Sequence, residues 1–178
     1  MKSNDYADDD LTAVHKAQVT AIKDAMTMVK TVETYDPTKN QQVITPAVML
    51  EAVEMKPGRT VTGGRMAVKV EFAAHCYLSA KTDNVQLEVR NMAARLLQIV
   101  NRNRWGLENA EQPENLAAFP GQFSKEKGFD SWIVQWEQNF HFGPLWEDPD
   151  YLPTELWLGE APDIGTAHKD DYEKLTDE

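Results

Sequence analysis

The groups in this 178-residue sequence that could do chemistry are scattered rather than gathered. His15, His75, His141 and His168 stand far apart, and none sits at metal-ligand spacing from another His, Cys or carboxylate cluster. Cys76 directly follows His75, and adjacent residues in a strand point to opposite faces, so the two cannot act as a nucleophile and its base. Gly63-Gly64 lacks the lysine and following helix of a phosphate loop, and Gly121 and Ser124 do not form a nucleophile elbow. Lys69 and Glu71 with His75 beyond them could be drawn as an acid/base array, but cross-strand ion pairing on a wet or subunit-facing surface is the simpler use of that pattern. Trp105, Trp132 and Trp136 lack the interleaved basic residues of a base-stacking platform and read as core. The expectation is a protein that is not an enzyme, with no catalytic residue, no cofactor and no metal.

Charge narrows the partners. Eighteen Lys and Arg against 29 Asp and Glu give a net charge of -11, a field that repels phosphate backbones and anionic membrane surfaces. Arg90, Arg95, Arg102 and Arg104 cluster in sequence, and the expectation for them is solvated cations toward the end of a helix. A 42% hydrophobic fraction, with five Trp and six Phe, is enough for one packed interior. The single cysteine lies in an apolar alternating run and suits a reducing compartment. No signal-peptide pattern opens the sequence and no stretch reaches the roughly 20 apolar residues of a membrane span. A soluble, intracellular protein is expected, with no membrane partner.

The elements that would carry these residues follow from periodicity. Leu11, Val14, Ala21, Ile22, Ala25, Met26, Val29 and Val32 recur at helical spacing and predict a helix from about Asp10 to about Tyr35, stopped by the Asp36-to-Asn40 breakers. Ala47 to Met55 is a nearly all-apolar opening followed by polar residues, a first strand closed by Pro57-Gly58. Arg65 to Leu78 alternates throughout, with Met66, Val68, Val70, Phe72, Ala74, Cys76 and Leu78 on one face. It exceeds the usual strand length, so it either bends or projects beyond the sheet, and residues 57–64 form a hairpin with the first strand.

Asp83 with Gln86 predicts the start of a second helix, striped by Val85, Val89, Met92, Leu96 and Ile99 and ending near Asn101 to Arg104. About Leu107 to about Phe129 reads as an irregular loop broken by Pro113, Pro120, Gly121 and Gly128. Asp130 to Phe140 is the last strand, placing Trp132, Val134, Trp136, Gln138 and Phe140 on one face. The order is αββαβ, an α+β fold with two helices on a small, mainly antiparallel sheet. Residues 1–142 form the domain, and residues 143–178 an acidic arm with Pro and isolated aromatics that cannot build its own core.

Four segments together carry a family likeness: Pro46 to Glu51 after a first helix, Val68-Lys69-Val70-Glu71-Phe72, Val89 to Leu97 leading to Asn103-Arg104-Trp105-Gly106, and Trp132 to Gln138. Across roughly residues 10–142 the sequence resembles the tail terminator (tail completion) proteins of long-tailed bacteriophages and related prophages. The resemblance implies a virion structural protein made in the host cytoplasm. It would close into a homohexameric ring, cap the head-proximal end of the tail tube, stop tube growth and join the tail to the head-completion or neck protein. Genomic DNA would pass the acidic lumen without specific binding.

A cyclic ring needs two different complementary surfaces on each copy. The candidates are Met55, Lys56 and Arg59 on the hairpin, Lys69 and Glu71 on the long strand, and Trp146, Tyr151 and Trp157 on the arm, which lies outside the resemblance and could also reach tail sheath. The alternatives are a non-phage adaptor or regulatory protein-interaction domain, whose aromatic arm folds back on its own domain, and a small enzyme with a concave pocket around Glu71 or His75 as its titrating group.

Overall fold

The computed structural model describes residues 10–36, 43–59, 65–121, 128–143 and 155–175. The chain divides into two compact units, residues 1–145 and 146–178. Unit one is an α+β fold in the order α1 (Leu11–Ala25), β1 (Thr31–Thr34), β2 (Ala47–Pro57), β3 (Met66–Ser79), α2 (Val85–Val100), β4 (Glu114–Pro120) and β5 (Phe129–Phe142). Two strands more than the αββαβ pattern are present. The five form one sheet ordered β1-β2-β3-β5-β4, antiparallel throughout except for the parallel β1–β2 pair.

Asp10 caps α1 by accepting from the backbone N–H groups of Thr12 and Ala13. The helix buries Val14, Gln18 and Ile22 and ends at Ala25, ten residues short of the predicted Tyr35. After a turn at Met26, the Lys30 and Thr31 N–H groups donate to the Pro46 carbonyl, and β1 aligns beside β2 with Val32 next to Val48. β-Branched Thr31, Val32 and Thr34 favour an extended backbone, and Val32 reaches the core from a strand as well as it would from a helix.

β3 and β5 run side by side for fourteen residues each, the central pairing of the sheet. Along β3 the expected face holds from Val70 to Leu78, all of whose alternate members are buried, whereas Met66 at the start is 64% exposed. Opposite lie Val134, Trp136, Gln138 and Phe140 of β5, each buried. Phe72 stacks on Trp136 at 5.3 Å between ring centroids and meets Phe140 edge-on at 6.0 Å. Burying a side chain of this kind contributes about 1.5–3 kcal/mol or more, so the aromatic group anchors the fold.

Helix α2 packs Val89, Met92, Ala93, Leu96 and Val100 onto the same face. Asn84, not Asp83, is its N-cap, in a left-handed conformation (φ 53°) that Asn tolerates, and no side chain caps the start. The cationic cluster is not simply solvated: the Arg90 guanidinium lies 5.6 Å from the centre of the Trp132 ring, and Arg104 donates to the carbonyls of Glu108 and Ala110. Trp105 and Gly106, both at positive φ, turn the chain out of α2 as expected.

The supposed loop of residues 107–129 contains β4, which pairs with β5. Pro113 and Pro120 bracket it and Asn115 (φ 53°) breaks its register between Glu114 and Ala117, which hides the alternation. Residues 60–64, the tip of the expected hairpin, lie outside the described residues.

Unit two contains β6 (Leu156–Leu158), a 3-10 segment at Thr166–Asp171, and β7 (Glu173–Leu175), with β6 and β7 antiparallel. Lys174 pairs with Glu155, and its Nζ lies 5.9 Å from the Trp157 ring centre. Trp157, Leu158, Ile164 and Leu175 are all about half exposed.

Candidate functional site

Both helices cover one face of the sheet. The other carries the odd-numbered residues of β3 and β5, a half-buried and largely polar surface. Its centre is an ion-pair ladder. The Lys69 Nζ lies 2.9 Å from Glu137 and 3.8 Å from Glu114, Asn115 donates to Glu137 at 2.8 Å, Gln135 donates to Glu71, and Lys56 sits 2.5 Å from Glu54. Hydrogen bonding raises the Lys69 and Lys56 pKa values and lowers that of Glu137. Glu54, Glu71, Glu114 and Glu137 outnumber Lys56 and Lys69, so the patch is net acidic.

A second cluster lies along the same face. His75 bonds Glu51 at 3.1 Å and stacks between Tyr35 and Tyr77, with centroids 4.6 and 6.2 Å away. Burial pushes the Tyr77 phenol up to about 12. Glu71 and His75 thus have separate partners and do not form an acid/base pair. The space enclosed by Glu54, Lys56, Lys69, Glu71 and Glu137 is about 10 Å³, at most one water. Among the described residues no three His, Cys, Asp or Glu side chains come together as a metal-binding group, and no helix is long and apolar enough to cross a membrane.

The expected interface residues fall in three places. Lys69 and Glu71 are in the ladder. Met55, Lys56 and Arg59 lie on the β2 side of the hairpin, where the chain leaves the helix layer: Ala47 to Leu50 are buried and Ala52 to Pro57 are exposed. Val53, Met55 and Met66 are 51%, 56% and 64% exposed, on the second half of β2 and at the start of β3. Just past the end of β2, Gly58 is packed so tightly that a Cβ there would come within 2.9 Å of the Asn139 Oδ1. Trp157 is exposed on β6, while Trp146 and Tyr151 lie outside the described residues.

Two further features were missed from sequence. Glu111, in the segment read as loop, accepts from His141 at 2.7 Å and Asn139 at 3.0 Å, tying that segment to β5 and lowering the Glu111 pKa chiefly through the His141 bond. β4 presents Ala117 and Phe119 on an exposed sheet edge. No sequence spacing pairs Glu111 with His141, since they meet only across the fold; the run Leu116-Ala117-Ala118-Phe119 was the available signal for β4. No family model matches the chain, and comparison with curated proteins finds no significant relative.

Proposed function

We propose that this chain is a structural assembly protein, a tail terminator that closes into a homohexameric ring at the head-proximal end of a phage tail tube. The single observation that carries the reading is β2, buried over its first four residues and exposed over its last six, with Val53 and Met55 offered to solvent. Exposed apolar side chains on a strand at a sheet edge are stabilised when another subunit covers them. The polar ladder face supports the same reading, because it displays net negative charge without a cavity and, turned to a lumen, would let DNA pass without phosphate contacts. The observed order α1-β1-β2-β3-α2-β4-β5 departs from the expected αββαβ by β1 and β4, which lie at the two edges of the sheet.

In the assembled tail the ring contacts the tube protein on one side and the head-completion or neck protein on the other. Adding the purified protein to polymerising tube subunits tests this. Tubes that stop growing and carry extra density at one end support termination; growth and tube ends unchanged by the protein contradict it. The exposed Trp157, Leu158, Ile164 and Leu175 of unit two favour a second reading as a protein-interaction adaptor. That reading predicts binding to a non-phage partner and no effect on tubes.

A further inference from the structure

The sheet ends differently on its two sides. On one, β1 pairs with β2 only from Ala47 to Leu50, so the seven residues Glu51–Pro57 have β3 on their inner side and no strand on their outer side among the described residues. On the other, β4 is also seven residues long and pairs only with β5. Edge strands are ordinarily protected by charge, yet Asn115 to Pro120 carries none in a chain that is 26% charged, and Phe119 is 37% exposed. Two unlike edges at opposite ends of one sheet are what head-to-tail association uses.

We propose that the β2 overhang of one copy pairs antiparallel with β4 of the next, with Glu114 opposite Lys56 and Ala118 opposite Ala52. The inference rests on the self-assembly reading above and names the surfaces that would carry it. Charge selects the direction: antiparallel pairing brings Glu114 to Lys56 and Arg59, whereas parallel pairing would set it beside Glu51 and Glu54.

The faces agree as well. Lys56 and Glu114 both belong to the ladder face, level with Lys69 and Glu137, and Ala52 and Ala118 both lie on the helix side, level with Phe72 and Val134. Between those points each strand carries one register irregularity, β2 between Ala52 and Glu54 and β4 between Glu114 and Ala117, so the faces agree at both ends of the paired segment although Glu54 and Leu116 between them belong to opposite faces. Pro57 and Pro120, which cannot donate to a ladder, fall just outside the paired segment.

A cavity of about 330 Å³ opens beside the start of the overhang, between α1 and the sheet, lined by Leu11, Gln18, Leu50, Ala52 and Phe72 among others. The Gln18 Nε2 is buried without a hydrogen-bond partner. An incoming strand with Ala118 beside Ala52 covers that opening and brings backbone carbonyls near it.

Disulfide trapping tests the register. Val53 and Ala117 would be neighbours in the paired strands, and both are exposed. Within one copy β3 and β5 separate β2 from β4, about 14 Å at three strand spacings, beyond the roughly 7 Å that a disulfide can span. Mixing Val53→Cys chains with differently tagged Ala117→Cys chains under mild oxidation should give dimers joining the two variants, and the double variant a ladder of linked chains. Lys56→Glu should weaken association by up to about fivefold, and adding Glu114→Lys should restore it. Oligomers that form but never link the two positions, or Val53→Cys chains that link only to each other, overturn this pairing and leave the ring reading standing. A protein that stays monomeric at every concentration and with tail tubes present overturns both.

Discussion

The Trp105 indole Nε1 donates a 2.7 Å hydrogen bond to Oε1 of the buried Gln138 side chain, joining the turn after α2 to the centre of β5. The Gln138 amide in turn donates to the carbonyls of Asn103 and Glu111, at 3.1 and 2.7 Å. One buried amide therefore holds both ends of the segment that leads from α2 to β4. Gln138→Leu fills similar space but leaves the indole N–H and two carbonyls without a partner. It should destabilise unit one by about 1–3 kcal/mol or somewhat more, read as a lower urea midpoint at unchanged slope. An unchanged midpoint would show that this connection is not held by the amide.

Acid sensitivity follows from two carboxylates. The Glu111 pKa is held below its usual 4.5 mainly by the hydrogen bond from His141, and that of Glu137 by the bond from Lys69. A carboxyl group whose folded pKa is depressed contributes stability that is present above its unfolded pKa and lost as pH falls through the folded one. Stability should thus fall below about pH 4.5, and Glu111→Gln with Glu137→Gln should flatten that fall, measured as urea midpoints between pH 3 and pH 7. The same acid slope in the double variant would exclude these two groups as its source.

Cys76 is fully buried in the sheet, and burial pushes its thiol up to about 12. It should resist a thiol reagent at pH 8 in the folded protein and react only as the protein opens, with a rate that rises with urea. Fast labelling of the folded protein would contradict its place in the core. Its inertness is also what lets introduced cysteines report on the β2 and β4 edges.

The sequence made some of this legible and hid the rest for identifiable reasons. Long alternating runs placed β3 and β5 to within two residues at each end, and the Val89, Met92, Leu96 stripe located the buried side of α2. β1 was lost because Val29 and Val32 continue the three-residue spacing of α1, and a four-residue strand shows too little alternation to compete. β4 was lost to its flanking prolines and its irregularity at Asn115. In the candidate site, Lys69 and Glu71 were readable as a polar strand face, but their partners Glu137 and Gln135 are set by the β3–β5 register. The exposure of Met55 depended on where the helix layer stops, which no local pattern encodes.

Removing residues 146–178 should leave unit one folded, because among the described residues its buried apolar core runs from Val14 to Phe140. The truncated protein should melt within a few degrees of the full chain while associating less. Unfolding of the truncated protein would place the second unit in the core and remove it as a candidate contact.

The most direct measurement is the native mass of the full-length protein, alone and mixed with tail tubes, with negative-stain imaging of any large species. A six-subunit ring, or added density capping one end of the tubes, is the result expected of a terminator. A monomer that persists at every concentration and ignores the tubes would contradict it.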